Sequence, residues 1–329
     1  MKKIFPVLIF SITICQLLNS QSVVNQGKPF AEIFTDFHYN INDTAKTTGF
    51  GMSRAYLGYN YTPAGDFSAF LILNIGTPED LAKGSVPKRY AYFRLASVTY
   101  TKENLTVNFG IVNTRFCDFQ QGFWGKRYLG AEYQSIYGYS PVADLGVVID
   151  YKLNDIVKVD LSLLNGEGYT NIQADNSLKT AVGMTITTRN NVAIRLYGDI
   201  MKPRGIWQST LLAFAGIKTS ILSVGAEASF KSNLDFTNGH NVWGISATAS
   251  IFVTPRSEIF TRYDYTASAS VPDELLHWDY EKDETYLIGG IQHIFSENIK
   301  MALNYRRTNP YSPDKQTTDA IYLNASFRF

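Results

Sequence analysis

Apolar and polar residues alternate with a period of two along most of this chain. Val157, Val159, Leu161 and Leu163 are interleaved with Lys158, Asp160 and Ser162. Leu222, Val224, Ala226, Ala228 and Phe230 alternate with Ser223, Gly225, Glu227 and Ser229. The stretches 243–251 and 321–329 repeat the pattern. Successive side chains of a strand point to opposite faces, so each segment has one apolar and one polar face. Beyond the first twenty residues no segment shows a convincing 3.6-residue period, although a short helix within 118–135 is compatible with the sequence.

The alternation predicts strands over 30–39, 49–61, 66–76, 89–100, 105–113, 144–152, 156–165, 179–188, 191–202, 208–218, 221–231, 240–253, 257–266, 285–295, 298–308 and 318–329. The faces are ambiguous around 89–100, 208–218 and 285–295. Most of these strands run roughly 9–13 residues, longer than the average of globular sheets and matched to a tilted strand crossing a bilayer. Their connections alternate between tight turns, as at 62–65, 189–190 and 296–297, and longer loops, as at 77–88, 114–143 and 267–284. Turns on one rim and loops on the other describe an all-β, 16-stranded antiparallel transmembrane barrel with both termini on the turn rim. Tyr and Phe near the strand ends fit interfacial girdles, or simply the β-propensity of aromatics.

Residues 1–20 begin Met1, Lys2, Lys3, continue with an apolar run and end at Ser20, the layout of a cleavable secretory signal. The expected organisation is therefore a signal peptide at 1–20 and one barrel domain at 21–329, exported to a bacterial outer membrane. The 30 basic and 29 acidic residues leave a net charge of +1, which gives no footprint for nucleic acid. A mean hydropathy of −0.11 excludes a bundle of membrane helices. Two cysteines, one of them inside the signal, exclude a disulfide framework or a cysteine zinc site. Aromatic residues reach 14%, in keeping with a strand-rich chain.

Several stretches carry a family likeness: Arg54-Ala55-Tyr56-Leu57-Gly58-Tyr59, Asn108-Phe109-Gly110, Ala143-Asp144-Leu145-Gly146-Val147-Val148 and Leu164-Asn165-Gly166-Glu167-Gly168. With a final strand ending on Phe329, they make the chain resemble the phosphate-selective porin O and P family in its Bacteroidetes-like form. That resemblance implies an outer-membrane pore. Phosphate-selective members share rows of inward basic side chains, and the lining read here departs from that. It holds Arg54, Arg94, Lys158, Arg195, Lys218, Lys231, Arg262, Arg306 and Arg328 against Glu32, Asp36, Asp150, Asp160, Asp199, Glu227, Glu258 and Asp264. About nine cations against eight anions make no one-signed funnel. Arg94, Arg195 and Arg262 are expected as a ladder facing Asp150, Asp199 and Asp264. The ladder either polarises the lumen or consists of salt bridges that hold the wall.

The connection 114–143 is the longest, and an open sixteen-stranded interior needs something to set its bore. Its Arg115, Asp118, Lys126, Arg127 and Glu132, beside Trp124 and other aromatics, suit a constriction of mixed charge. The alternative is an external loop packed on the rim. The four histidines have no metal-ligand spacing, and no nucleophile elbow, P-loop or dinucleotide fingerprint appears. The acidic run Asp273, Glu274, Asp279, Glu281, Asp283 and Glu284 reads as a solvated loop facing lipopolysaccharide, or as an oxygen site for a divalent cation. No cofactor, metal or catalytic residue is expected. The predicted function is passive diffusion of small hydrophilic solutes or ions, with the bilayer, lipopolysaccharide and a homotrimer as partners. The alternatives are a phosphate or oligosaccharide channel and a non-conducting structural barrel.

Overall fold

The computed structural model describes residues 27–42, 48–63, 65–76, 90–270 and 276–329. The expected signal segment 1–20, and Asp273 and Glu274 of the acidic run, lie outside them. Sixteen strands form one sheet: β1 (Lys28–Asn40), β2 (Gly49–Tyr61), β3 (Phe67–Gly76), β4 (Tyr90–Lys102), β5 (Leu105–Asn113), β6 (Ala143–Lys152), β7 (Val157–Leu164), β8 (Lys179–Thr187), β9 (Val192–Met201), β10 (Gln208–Lys218), β11 (Leu222–Ser232), β12 (Val242–Thr254), β13 (Ser257–Ser268), β14 (Glu284–Ser296), β15 (Ile299–Pro310) and β16 (Thr318–Arg328). Each pairs antiparallel with its sequence neighbours. The sheet closes where β1 meets β16, from Glu32 opposite Arg328 to Asn40 opposite Ala320. Closure removes both sheet edges, so every strand has a partner on each side. The strand ends fall within two residues of the sequence expectation.

The period-two pattern becomes two walls. Leu161, Leu163, Leu196, Leu211, Ile259 and Leu303 are exposed on the outside. Asp160, Arg195, Arg262, Asp264 and Asn304 are buried on the inside. Tight turns and longer loops sort to opposite rims, and Ala31 donates to the Phe329 carbonyl at 2.7 Å on the turn rim.

The ambiguous segments have local causes. A register shift between Ile72 and Leu73 in the β3–β4 pairing lets Arg94 and Leu95 both turn inward. In β10 the inward face turns apolar beyond Gln208 and Thr210, with Leu212 and Phe214 buried against a core that lies inside the barrel. The chain between β5 and β6 supplies that core.

Candidate pore constriction

The connection 114–142 folds against the inner wall. Its two ends are stapled at Thr114, whose N–H donates to Val142 O at 3.1 Å and whose hydroxyl donates to Pro141 O at 2.7 Å. From this neck rises α1 (Arg115–Trp124), which stops at Gly125 in the left-handed conformation, its N–H returning to Gln121 O. A short second helix, α2 (Tyr133–Ile136), follows. Phe116, Cys117, Phe123, Tyr133 and Tyr139 pack on Ala181, Tyr197, Leu212 and Phe214 of β8–β10. Trp124, Tyr128 and Leu129 pack on Phe34, Phe260, Ile288 and Ala302 of β1 and β13–β15. Phe116 is 0% exposed and Tyr133 1%. The core of this molecule thus lies between a loop and the wall that surrounds it.

Glycines on the inner wall make room for that core. A Cβ on Gly216 or Gly225 would stand 2.7 or 2.6 Å from the Phe123 ring, and one on Gly244 would collide with the Tyr133 hydroxyl. Sequence reading did not find these sockets, because a glycine in a strand reads as a weak position rather than a receptor. Their inward parity was the available signal.

Polar anchors complete the docking. Arg115 grips Asp150 through Nε and Nη2 at 3.0 and 2.5 Å, and Asp118 lies 3.2 Å from its Nη1. Lys126 Nζ is 2.7 Å from Glu258. Burial lowers the Lys126 pKa, and the Glu258 carboxylate works against that shift. Tyr128 donates to Gln292 at 2.8 Å, and Gln134 donates to Glu227. Arg262 and Lys231 reach back from the wall to the carbonyls of Ala131 and Tyr139, at 2.6 and 2.9 Å. Lys218 bonds the Phe123 carbonyl at 3.0 Å. Arg127 lies 3.8 Å from Glu132. Burial pushes the Tyr139 hydroxyl up to about 12.

Of the expected ladder the structure brings Arg262 together with Asp264, while Arg195, Asp150 and Asp199 find other partners. Arg195 binds Asp160 at 2.7 and 3.1 Å, not Asp199, which instead accepts from Tyr197. Gly183 of β8 is the reason. A Cβ there would stand 2.5–2.7 Å from both Asp160 and Arg195, so its absence lets the two meet across β8. Arg262 clasps Asp264 on its own strand at 2.8 and 2.5 Å. Asp150 takes Arg115 and Lys158. Although the charge of Glu132 acts on it, Arg94 forms no ion pair among the described residues. It lies 5.5 Å over the Tyr169 ring, with Nη1 buried and without a hydrogen bond.

Charge is sorted around the circumference. The carboxylates Asp150, Asp160, Glu258 and Asp264 are buried beneath the loop in ion pairs. Arg54, Lys300 and Arg306 are half-buried and Arg328 is exposed, all on the inner face of β15, β16 and β2. Arg306 is held by the amide oxygens of Asn304 and Asn324 at 2.8 and 2.9 Å, and stacks 3.8 Å over Tyr322. The carboxylates on that side are Glu32 and Asp36, the latter 2.8 Å from His38. Among the described residues no group of three His, Cys, Asp or Glu side chains could hold a metal ion.

No known protein family and no curated protein matches this sequence. Solved structures do. OmpF of Salmonella typhi, in a complex with daunomycin, aligns with 93% of this chain and 98% of its own at 12% identity and a TM-score of 0.69. An anion-selective porin from Comamonas acidovorans aligns with 93% and 100% at 10% identity and the same TM-score. OmpT of Vibrio cholerae, in its trimer form, aligns with 93% and 100% at 12% identity and a TM-score of 0.62. At these identities the likeness is one of fold. This chain has the sixteen-stranded barrel of outer-membrane porins.

Proposed function

We propose that this chain is a porin of a bacterial outer membrane, exported by its first twenty residues and passing small hydrophilic solutes by diffusion. The observation that carries the reading is the loop 114–142 pinned across the lumen of a closed barrel whose outer wall is apolar. Water fills what the loop leaves open, and Trp124 and Tyr128 close the side of the lumen next to Phe34 and Tyr56 on β1 and β2. In this reading Arg115, Asp118, Lys126, Arg127 and Glu132 fix the constriction rather than bind solute. The basic side chains Lys300, Arg306 and Arg328 on β15 and β16 give a modest preference for anions, since inward positive charge focuses counter-ions in a low-dielectric channel. The finer assignment, to phosphate-selective porins O and P, rests on the stretches at 54–59, 108–110, 143–148 and 164–168 and on the final strand ending at Phe329. A homotrimer is proposed by analogy with the trimer form of the Vibrio cholerae barrel.

Purified protein in a planar bilayer tests this directly. Ohmic single-channel steps are expected, with a reversal potential in a salt gradient displaced toward the anion. Insertion without conductance would favour a structural barrel instead.

A further inference from the structure

The outer wall is not uniformly smooth. A groove of about 690 Å³ crosses β8–β12, within the size range of ligand sites. Its floor is built from small outward residues, Gly198, Ala213 and Ala228, and its flanks from Leu196, Leu211, Phe230 and Trp243. Register explains the shape: Leu211 stands opposite both Gly198 and Phe230, and Ala213 opposite both Leu196 and Ala228. The rung Gly198–Leu211–Phe230–Trp243 is small only at Gly198, and the next, Leu196–Ala213–Ala228–Ile245, is small at Ala213 and Ala228, so the small positions step from one rung to the next and leave a diagonal trough.

Above this trough, on the long-loop rim, the turn joining β9 to β10 carries Lys202, Arg204 and Trp207. Ser209 opposite Ile200 is the outward rung between this turn and the groove. Lys202 Nζ lies 5.0 Å from the Trp207 ring centre, and Trp207 is 56% exposed. Both ends of the turn are tied: Lys202 N–H donates to Ser177 Oγ at 3.0 Å, and Asn233 Nδ2 donates to the Trp207 carbonyl at 2.8 Å. Among the described residues no carboxylate forms an ion pair with Lys202 or Arg204. A second copy docked here would have to bring carboxylates to this rim as well as apolar side chains to the groove. A phosphorylated, multiply acylated glycolipid of the outer leaflet brings a headgroup phosphate and acyl chains in one molecule, and an indole ring suits the headgroup boundary between them.

We propose that Lys202, Arg204 and Trp207, with the groove over Gly198, Ala213 and Ala228, form a binding site for such a phosphorylated glycolipid. The site rests on the outer-membrane reading but not on conductance, because none of its residues lines the lumen. The test uses the full chain in detergent, with purified bisphosphorylated lipid A and its dephosphorylated form as probes, and native mass spectrometry to count bound lipid. Wild type is expected to retain the bisphosphorylated lipid roughly tenfold better than the dephosphorylated one, a difference that added salt erodes. Lys202→Glu with Arg204→Glu should abolish that preference. Ala228→Leu, which fills the trough, should weaken retention of both lipids. Equal retention by wild type and the charge-reversed variant would overturn the proposal. So would an Ala228→Leu variant that changes oligomeric state while holding lipid as before. Channel recordings on the same samples separate the two readings: loss of conductance in every sample would sink the porin while leaving the lipid counts interpretable.

Discussion

Between Asp160 on β7 and Arg195 on β9 lies a strand that adds no side chain at that height, because position 183 is glycine. The two charges meet in that gap, and Arg195 is 2% exposed. A buried pair gains little over apolar residues of similar size, but stranding one partner is costly, about 3–5 kcal/mol. Arg195→Leu should therefore destabilise the folded barrel by about that amount, and Arg195→Leu with Asp160→Leu should recover much of it. Denaturant unfolding in detergent measures both. Additive losses in the double variant would contradict a direct pairing. Arg306 shows the opposite arrangement, a guanidinium held in place by two amide oxygens, with its charge left for the lumen.

At the scale of elements, the loop 114–142 is held by sockets as well as by bonds. Gly225→Val would drive a side chain into the space of the Phe123 ring, and overpacking of this kind costs about 1–3 kcal/mol. The expected outcome is an intact barrel with α1 displaced and a larger, noisier conductance. Unchanged single-channel steps would mean that Phe123 does not hold the loop. The strands were legible because alternation records which face meets water, and the loop was legible from its length and its mixed charge. The wall pairings were not. Which carboxylate meets which guanidinium depends on register and on gaps such as Gly183, neither of which alternation encodes. The facing of β10 was also hidden, since Leu211 and Ala213 on one face and Leu212 and Phe214 on the other are all apolar, and alternation assigns neither face to the lumen. Arg94 meets Tyr169, a neighbour from a distant loop that alternation does not encode.

For the whole molecule, the balanced inventory of inward charge conceals an unbalanced field. Most of the acids are spent beneath the loop, while several of the bases face the remaining lumen. Arg306→Glu together with Lys300→Glu should shift the reversal potential from the anion side toward the cation side at low salt, with the effect shrinking as ionic strength rises. A reversal potential that ignores both changes would place the conducting path elsewhere.

The thiol of Cys117 is 1% exposed and points at the carbonyls of Ser140 and Pro141, 3.7 and 3.9 Å away, where burial holds its pKa well above the ordinary value. A maleimide reaches that sulfur only when the Thr114 staple lets go, so its uptake is a clock for excursions of the plug. Labelling should be slow in the resting channel and markedly faster in Gly225→Val, and equal rates would show that the plug already swings freely.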